Sequence, residues 1–436
     1  MNTKAISLSI VVALGFLTFD SCDQPRITES TSEPVAALLS KSSVELSMVP
    51  ISETTIKLIW HPIPNSKIKY DILRRTVNDN SKLIKIGSFE NNTAEFIDST
   101  LHPANIYEYC ISSNSNGLGK IISNTFKIAA IVDSMEMIVK RQIVRKPLTD
   151  VEYNNQGNLL ACCGWWQRIV LLDPSNLSLI KNLDQISPRM QTLCFSGDDK
   201  YLISGGGAHD IITWDIETGK KIQTINAHDG RINSVEFHPL SHLIISSSLD
   251  RTIKLWNSRT GLLVKTYVND AWVNECMEIN NKRNLIAFNR HSEILCVDVF
   301  SGEIIKSFTT LLGSSIYDIE FSPDDKYFVS CSQDNKRVVV WDYESGSVKY
   351  ILNSFSETLS MCAAFSNNGV NLFSGSYVGS INAWNMINGS HITDINCMDV
   401  AARCMDIDPN GKFLAVGSDF GTLYIFEIIY SWIEYN

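Results

Sequence analysis

The chain has 436 residues, of which 44% are hydrophobic and 19% are charged, and its formal net charge is −10. This composition is typical of a globular protein long enough for two or three domains. Nucleic-acid binding draws most of its affinity from basic side chains, so the negative charge and the lack of a Lys/Arg cluster exclude a nucleic-acid partner.

The N-terminus predicts an exported protein. Lys4 precedes an apolar run, residues 5–19, which is short for a membrane span and typical of a signal peptide over residues 1–21. The next residues, Phe19-Asp20-Ser21-Cys22, resemble a bacterial lipobox, although Asp20 replaces the usual small residue. The resemblance implies a lipid on Cys22 and a lipoprotein held in the membrane at the envelope or surface of a bacterial cell. An ordinary cleaved signal and a retained membrane anchor are the alternatives.

Residues 22–43 are rich in Ser, Thr, Glu and Pro and predict a flexible tether. Residues 44–130 then show short runs of alternating hydrophobicity separated by turn signals, which predicts an antiparallel sandwich. This segment resembles a fibronectin type III domain through Trp60 and the Leu-x-Pro-x-x-x-Tyr pattern of Leu101, Pro103 and Tyr107. The resemblance implies that these residues are structural and that the Tyr107 phenol bonds upstream backbone.

The rest of the chain repeats a unit of three short strands followed by a fourth. The last residue of each third strand recurs at spacings of 41 to 44, at Asp173, Asp215, Asn257, Asp298, Asp342, Asn385 and Glu427. The residue before each is large or apolar, and four of these are Trp214, Trp256, Trp341 and Trp384. Seven units at this period predict a closed ring of blades.

These repeats resemble the WD-repeat family from about Met135 to the C-terminus. In the family, a His, a Ser, an Asp and a Trp form a hydrogen-bonded set within a blade. The third unit alone carries the full set, in His228, Ser246 or Ser248, Asp250 and Trp256. The expected fold class is therefore all-β, with a fibronectin type III-like sandwich followed by a seven-bladed β-propeller over residues 135–436. Either residues 135–144 or residues 428–432 are expected to supply the strand that closes the ring.

No catalytic or metal-binding motif is recognisable in the sequence, so we expect a non-enzymatic protein without metal or cofactor. The cysteines beyond Cys22 lie in predicted strands without metal-type spacing, and we interpret them as small buried hydrophobes. A propeller without catalytic residues predicts a rigid binding surface.

Aromatic and arginine side chains are the usual hot spots of protein interfaces, and several occupy predicted loops of one propeller face. The candidates are Trp165, Trp166, Arg189, Arg231, Trp272, Arg290, His291, Tyr377 and Phe420. Trp165 or Trp166 could instead pack against the neighbouring blade. The leading hypothesis is a scaffold for another protein. A surface receptor for a glycan or peptide is the second hypothesis, and a propeller hydrolase or lyase is the third.

Overall fold

The structure is a computed structural model. It describes residues 46–60, 69–77, 81–90, 94–115, 119–123, 125–184, 189–238, 241–268, 276–280, 284–290, 293–310, 316–332, 337–353, 359–396 and 400–435. Every regular element within these ranges is a β-strand. Across the same ranges, no helix has the length and apolar character needed to cross a bilayer. The predicted signal, the lipidation site Cys22 and the tether lie outside the described residues.

The first eight strands build two sheets that pack against each other. They are β1 (Leu46–Ser52), β2 (Thr55–Trp60), β3 (Lys69–Thr76), β4 (Ile84–Glu90), β5 (Glu95–Asp98), β6 (Ile106–Ser115), β7 (Gly119–Ile122) and β8 (Phe126–Gln142). One sheet has the order β1-β2-β5, and the other contains β8-β6-β3-β4 with β7 beside β6. Alternate residues of β2 are buried, and the Trp60 ring lies 6.4 Å from Tyr70 of the facing sheet. The two sheets therefore share one apolar core.

Six four-stranded antiparallel sheets, blades one to six, follow in chain order. Blades one to three are formed by β9 (Leu148–Tyr153), β10 (Leu160–Gly164), β11 (Arg168–Leu172), β12 (Leu179–Asp184), β13 (Met190–Phe195), β14 (Tyr201–Gly206), β15 (Asp210–Asp215), β16 (Lys221–Asn226), β17 (Ile232–Phe237), β18 (Leu243–Ser248), β19 (Thr252–Asn257) and β20 (Leu263–Val268). Blades four to six are formed by β21 (Met277–Ile279), β22 (Leu285–Arg290), β23 (Glu293–Asp298), β24 (Ile304–Thr309), β25 (Ile316–Phe321), β26 (Tyr327–Ser332), β27 (Arg337–Asp342), β28 (Ser347–Asn353), β29 (Ser360–Phe365), β30 (Asn371–Ser376), β31 (Ser380–Asn385) and β32 (Ser390–Asn396).

The seventh blade joins the two ends of the ring. It consists of β33 (Ala402–Ile407), β34 (Phe413–Ser418) and the first half of β35 (Thr422–Tyr435), with the second half of β8 as its outer strand. Thr422 pairs with Gln142, and Ile428 pairs with Met135. The first strands of successive blades contact one another in order, and β33 contacts β9. The chain therefore closes a ring of seven blades, and residues 135–142 supply the fourth strand of the last.

A capped turn explains why an acidic or amide residue recurs at the end of each third strand. Asp215 Oδ1 accepts the backbone N–H of Thr218 at 2.7 Å, and Asp298 Oδ1 accepts that of Ser301 at 2.7 Å. The turn then needs a residue at positive φ, which glycine adopts without strain, and Gly219 has φ +70°. The spacing seen in the sequence is thus the spacing of these turns.

The large residue before each cap fills the space between neighbouring blades. Trp214 is buried among residues of blades one and two, and its Nε1 donates to Ser204 Oγ at 3.0 Å. The same tryptophan-to-serine bond occurs in three further blades, as Trp256 to Ser246, Trp341 to Ser330 and Trp384 to Ser374. Each Trp therefore buries apolar area while its one polar atom is satisfied by the neighbouring strand.

The cysteines behave as the sequence predicts. Nine are described, and all nine are buried: Cys110, Cys162, Cys163, Cys194, Cys276, Cys296, Cys331, Cys362 and Cys404. They occupy small positions within the strands and between the blades, where a thiol packs as a compact apolar group.

Two long strands connect the N-terminal sheets to the propeller. After closing blade seven, β35 continues alongside the first half of β8, so that Trp432 pairs with Ala130. Asn371 of blade six accepts the N–H of Val132 at 3.0 Å and donates to the carbonyl of Ala130 at 3.0 Å. Residues 44–436 consequently form one compact unit. Residues 428–432, the alternative closing strand, extend the N-terminal sheet instead.

Candidate interaction surface

The two faces of the ring are defined by the turns that they carry. Strands alternate in direction within each blade, so the turns between second and third strands lie on one face, together with the crossings into the next blade. We call this the front face. The turns between first and second strands lie on the rear face. The N-terminal sheets contact the rear turns, since Asn368 donates to Pro103 O at 2.9 Å and Tyr430 Oη donates to Gly411 O at 2.6 Å.

Trp165 and Trp166 form the front turn of blade one, between β10 and β11. The backbone N–H of Trp165 donates to Pro147 O at 3.1 Å, and that of Trp166 donates to Gly164 O at 2.7 Å. A Cβ at position 164 would lie 2.1 Å from the Trp166 ring and 2.1 Å from Pro147 O. Glycine is therefore required for the Trp166 ring to fold back onto the end of β10.

The two tryptophans have different environments. Trp166 is half-buried and packs against the apolar cluster between blades seven and one. Trp165 lies under two guanidinium groups, with 5.2 Å from its ring centroid to Arg189 and 5.4 Å to Arg403. Arg403 is held in turn by Asp419, at 2.7 Å. Packing against a neighbouring blade, one of the two predicted possibilities, thus applies to both tryptophans, and Trp165 does so through a cation–π cluster with Arg189 and Arg403.

A cavity of about 770 Å³ opens beside these tryptophans, between the outer strand of blade seven and blade one. It is lined by Arg141, Gln142, Ile143, Val144, Lys146, Trp165, Trp166, Gln167, Arg168, Val170, Leu172, Leu179, Asn182 and Arg189. The described lining residues thus include four basic side chains and no carboxylate. We call this the seam cavity, since it follows the closing crossing from β8 to β9.

The structure brings only part of the predicted surface to this cavity. Phe420 lies next to it, because the Gln142 side chain donates to the Phe420 carbonyl, and its own side chain is 63% exposed. Tyr377, 54% exposed, belongs to the front turn of blade six. Arg231 bonds Asn233 at 3.0 Å and Arg290 pairs with Glu293 at 3.0 Å, away from the cavity lining. Trp272 and His291 lie outside the described residues.

The third blade contains the hydrogen-bonded set expected from its sequence. His228 Nδ1 lies 2.8 Å from Asp250 Oδ2, and His228 Nε2 lies 2.7 Å from Ser246 Oγ. Ser246 also accepts from Trp256 Nε1, whereas Ser248 Oγ accepts the N–H of Asp250. Burial lowers the pKa of His228 despite the nearby Asp250, which keeps the imidazole neutral. Nδ1–H therefore donates to Asp250, and Nε2 accepts the Ser246 hydroxyl.

The predicted structural residues of the N-terminal sheets are also placed together. Leu101 and Tyr107 are buried, and the Tyr107 hydroxyl accepts the backbone N–H of His102 at 3.0 Å. The Tyr107 ring lies 5.9 Å from Trp432 of the C-terminal strand. This corner therefore packs against the strand that arrives from the propeller.

An acidic channel along the ring axis is the feature that sequence reasoning missed. The first strand of several blades directs carboxyl groups inward: Asp150, Glu152, Glu236, Glu278, Asp318, Glu320 and Asp406. Glu152, Glu236, Glu278 and Glu320 are spaced by 42 residues or twice that number. Applying the blade period to acidic residues would have revealed the set.

Several of these carboxylates tie one blade to the next. Asp150 accepts the N–H of Leu193 at 2.7 Å, and Asp406 accepts that of Tyr153 at 2.7 Å. Burial in the channel raises the pKa of Asp318 to about 6 and that of Asp150 and Asp406 to about 7. Burial and the neighbouring carboxylates raise the pKa of Glu278 well above its usual range. Within the described residues, no three His, Cys, Asp or Glu side chains converge as metal ligands.

Known families match the repeats directly. The family model of the WD domain, G-beta repeat, matches residues 219–257 and 302–342. Each match spans the outer strand of one blade and the first three strands of the next. Two stretches of the ring therefore match the WD domain, and the findings support a WD-repeat propeller.

Similar curated proteins share the propeller region. The Periodic tryptophan protein 2 homolog of Caenorhabditis elegans is 21% identical over 289 residues, covering 64% of this chain and 31% of the relative. Apoptotic protease-activating factor 1 of Rattus norvegicus is 30% identical over 200 residues, 46% of this chain and 15% of the relative. Human Pre-mRNA-processing factor 17 is 28% identical over 136 residues, which cover 30% of this chain and 23% of the relative. The chain spans less than a third of each relative's length.

Proposed function

We propose that the protein is a non-catalytic scaffold that binds another protein through the front face of its propeller, at the seam cavity. The carrying observation is the cluster of Trp165, Trp166 and Arg189 around a concave opening. Rigid aromatic rings and arginines at a cavity are the side chains that dominate binding energy in protein interfaces. The cavity reaches the front turns, whereas the N-terminal sheets occupy the rear.

The chemistry of the seam cavity favours binding over catalysis. Its described lining residues carry guanidinium, ammonium, amide, indole and aliphatic groups, without a hydroxyl, thiol, imidazole or carboxyl group. Hydrolysis and elimination most often use such groups as nucleophiles or as general acids and bases, and the Lys146 amine is the one lining group of the described residues that could act in this way. The match of two stretches to the WD domain supports the same reading.

Attachment to a bacterial membrane through Cys22 belongs to this proposal and rests on the sequence pattern. The tether over residues 22–43 precedes the N-terminal sheets, which we propose to be a fibronectin type III-like spacer. The scaffold would then meet its partner at the envelope or surface.

Crosslinking on intact cells, followed by affinity capture and mass spectrometry, tests the proposal. We compare the native chain with Trp165→Ala/Trp166→Ala and with the control Phe300→Ala, which removes an exposed aromatic from a rear turn. A protein captured by the native chain and the control but lost with the double variant supports the scaffold. A purified protein that binds glycans and captures no protein would contradict it.

A further inference from the structure

We propose that the seam cavity binds an acidic peptide segment that carries a large apolar side chain. This inference rests on the proposed function and names the chemistry of the partner. Four cationic side chains, Arg141, Lys146, Arg168 and Arg189, line one cavity in a chain of net charge −10. A cluster of positive charges on a molecule whose net charge is negative favours a negatively charged partner at that cluster.

The rear opening of the ring differs from the seam cavity in the charged side chains that line it. An opening on the rear side is lined by Glu278, Glu320 and Asp406 of the axial channel. The described lining residues of that opening offer an acidic segment no cation, whereas those of the seam cavity offer four, so the charge distribution favours the seam cavity. Arginine suits carboxylates in particular, because its planar guanidinium donates two parallel hydrogen bonds to one carboxylate.

The remaining lining residues fit a peptide. Trp166, Val170, Leu172 and Leu179 form an apolar wall, and the Leu179 side chain is 46% exposed. Gln142, Gln167 and Asn182 add amide groups that can both donate to and accept from a peptide backbone. A volume of about 770 Å³ lies within the range of ligand-binding cavities. An apolar wall beside cations matches an apolar side chain flanked by carboxylates better than it matches a polyphosphate chain, which is charged along its whole length.

Fluorescence anisotropy with the full-length protein in mild detergent tests the inference. The probe is a fluorescein-labelled hexapeptide, Glu-Trp-Glu-Glu-Leu-Glu, and its neutral counterpart has Gln at each Glu. The test variant is Lys146→Glu/Arg189→Glu. The matched control is Lys220→Glu/Lys221→Glu, which makes the same charge change on exposed residues at the rear of blade two. A heparin fragment and phosphatidylglycerol vesicles compete in separate titrations.

We expect the acidic probe to bind the native protein and the control equally, within twofold. The test variant should bind at least tenfold more weakly, and the neutral probe should bind weakly to all three proteins. Raising the salt from 0.1 to 0.5 M should weaken the acidic probe severalfold, because exposed charges are screened. Equal binding of the probe by both double variants, no binding up to 1 mM, or stronger competition by heparin or vesicles than by unlabelled peptide would overturn the inference.

Failure of this inference can be told apart from failure of the proposed function. A cellular partner that is captured by the native chain and is still captured by Lys146→Glu/Arg189→Glu overturns the acidic-segment inference and leaves the scaffold in place. A native chain that captures no partner in cells contradicts the scaffold itself.

Discussion

The guanidinium of Arg189 lies over the indole of Trp165, 5.2 Å from the ring centroid, at the front turn of blade one. Arg189 comes from the crossing into blade two and has φ +63°, so the backbone of one blade is shaped to place a cation on the aromatic ring of its neighbour. Arg189 is exposed and the indole below it is half-buried, and a cation–π contact at an exposed site contributes only about 0.5–1 kcal/mol to folding. The exposed guanidinium is therefore accessible to a binding partner.

Arg189→Ala should separate these two roles. We expect the free energy of unfolding to fall by less than about 1 kcal/mol, because Arg189 is exposed. Capture of the protein partner should weaken by about tenfold or more, as at interface hot spots. Denaturant unfolding and partner titration on the same preparation measure both. An unchanged partner affinity would show that the cluster is structural.

Ser246→Ala should cost more than the equivalent serine change in blade two. It leaves two buried groups, Trp256 Nε1 and His228 Nε2, without their serine partner, and each such loss costs about 1–3 kcal/mol. We expect a total loss of about 2–4 kcal/mol in denaturant unfolding. The control is Ser204→Ala in blade two, where only Trp214 loses its acceptor and the expected cost is about half. Equal costs would mean that His228 adds nothing to the blade.

The axial channel predicts that stability decreases as the pH rises. Burial raises the pKa of Asp318 to about 6, that of Asp150 and Asp406 to about 7 and that of Glu236 to about 8. Unfolded Asp and Glu side chains titrate near pH 4. The folded protein therefore binds more protons than the unfolded chain between about pH 4 and pH 8, and its stability is lost across this window as the carboxylates ionise.

Glu278→Gln tests this assignment, since Glu278 is surrounded by the charges of Glu236, Glu320 and Asp318. We expect the variant to raise the melting temperature by about 2–4 °C at pH 8 and by clearly less at pH 5, because the loss of stability from this carboxyl begins near pH 4 and grows as the pH rises. The exposed Glu217→Gln is the control and should change neither value. Stabilisation at pH 5 as large as that at pH 8 would exclude charge repulsion as the cause.

The hydrogen bonds of Asn371 to the connecting strand predict that the N-terminal sheets and the propeller unfold together. Its buried amide bonds Val132 and Ala130 of the connecting strand, so Asn371→Ala should lower the free energy of unfolding by about 1–3 kcal/mol. The loss should appear equally in fluorescence and circular dichroism, with one transition. Exposed Asn226→Ala is the control. Two separate transitions in the native protein would contradict the coupling.

The sequence predicts the propeller because its signals are local. One strand and the turn that follows it contain the buried Trp214, the cap at Asp215 and the turn glycine Gly219. Such a unit must recur at the blade period. The His228 set is likewise contained within one blade. The resemblance of residues 44–130 to a fibronectin type III domain stays a prediction, although two packed sheets occupy that part of the chain.

The remaining features depend on contacts between distant parts of the chain. The pairing of β8 with β35 joins residues nearly 300 positions apart. The sequence offered residues 135–144 and residues 428–432 as closing strands, and no local mark decided between them. The seam cavity needs that pairing, because Arg141 and Gln142 come from β8 and Trp165 from blade one. The channel carboxylates converge only when the ring closes. Strand propensity and the spacing of the repeats therefore could not locate the seam cavity or the acidic channel, because both exist only in the closed ring.

Photo-crosslinking on intact cells tests the central claim most directly. A photoreactive amino acid is placed either at Gln167, an exposed residue lining the seam cavity, or at Arg259, an exposed residue in a rear groove between blades two and three. We predict that the same protein partner crosslinks at position 167, and that this crosslink disappears with Lys146→Glu/Arg189→Glu. A partner that crosslinks at position 259 and never at 167 would contradict the front-face scaffold.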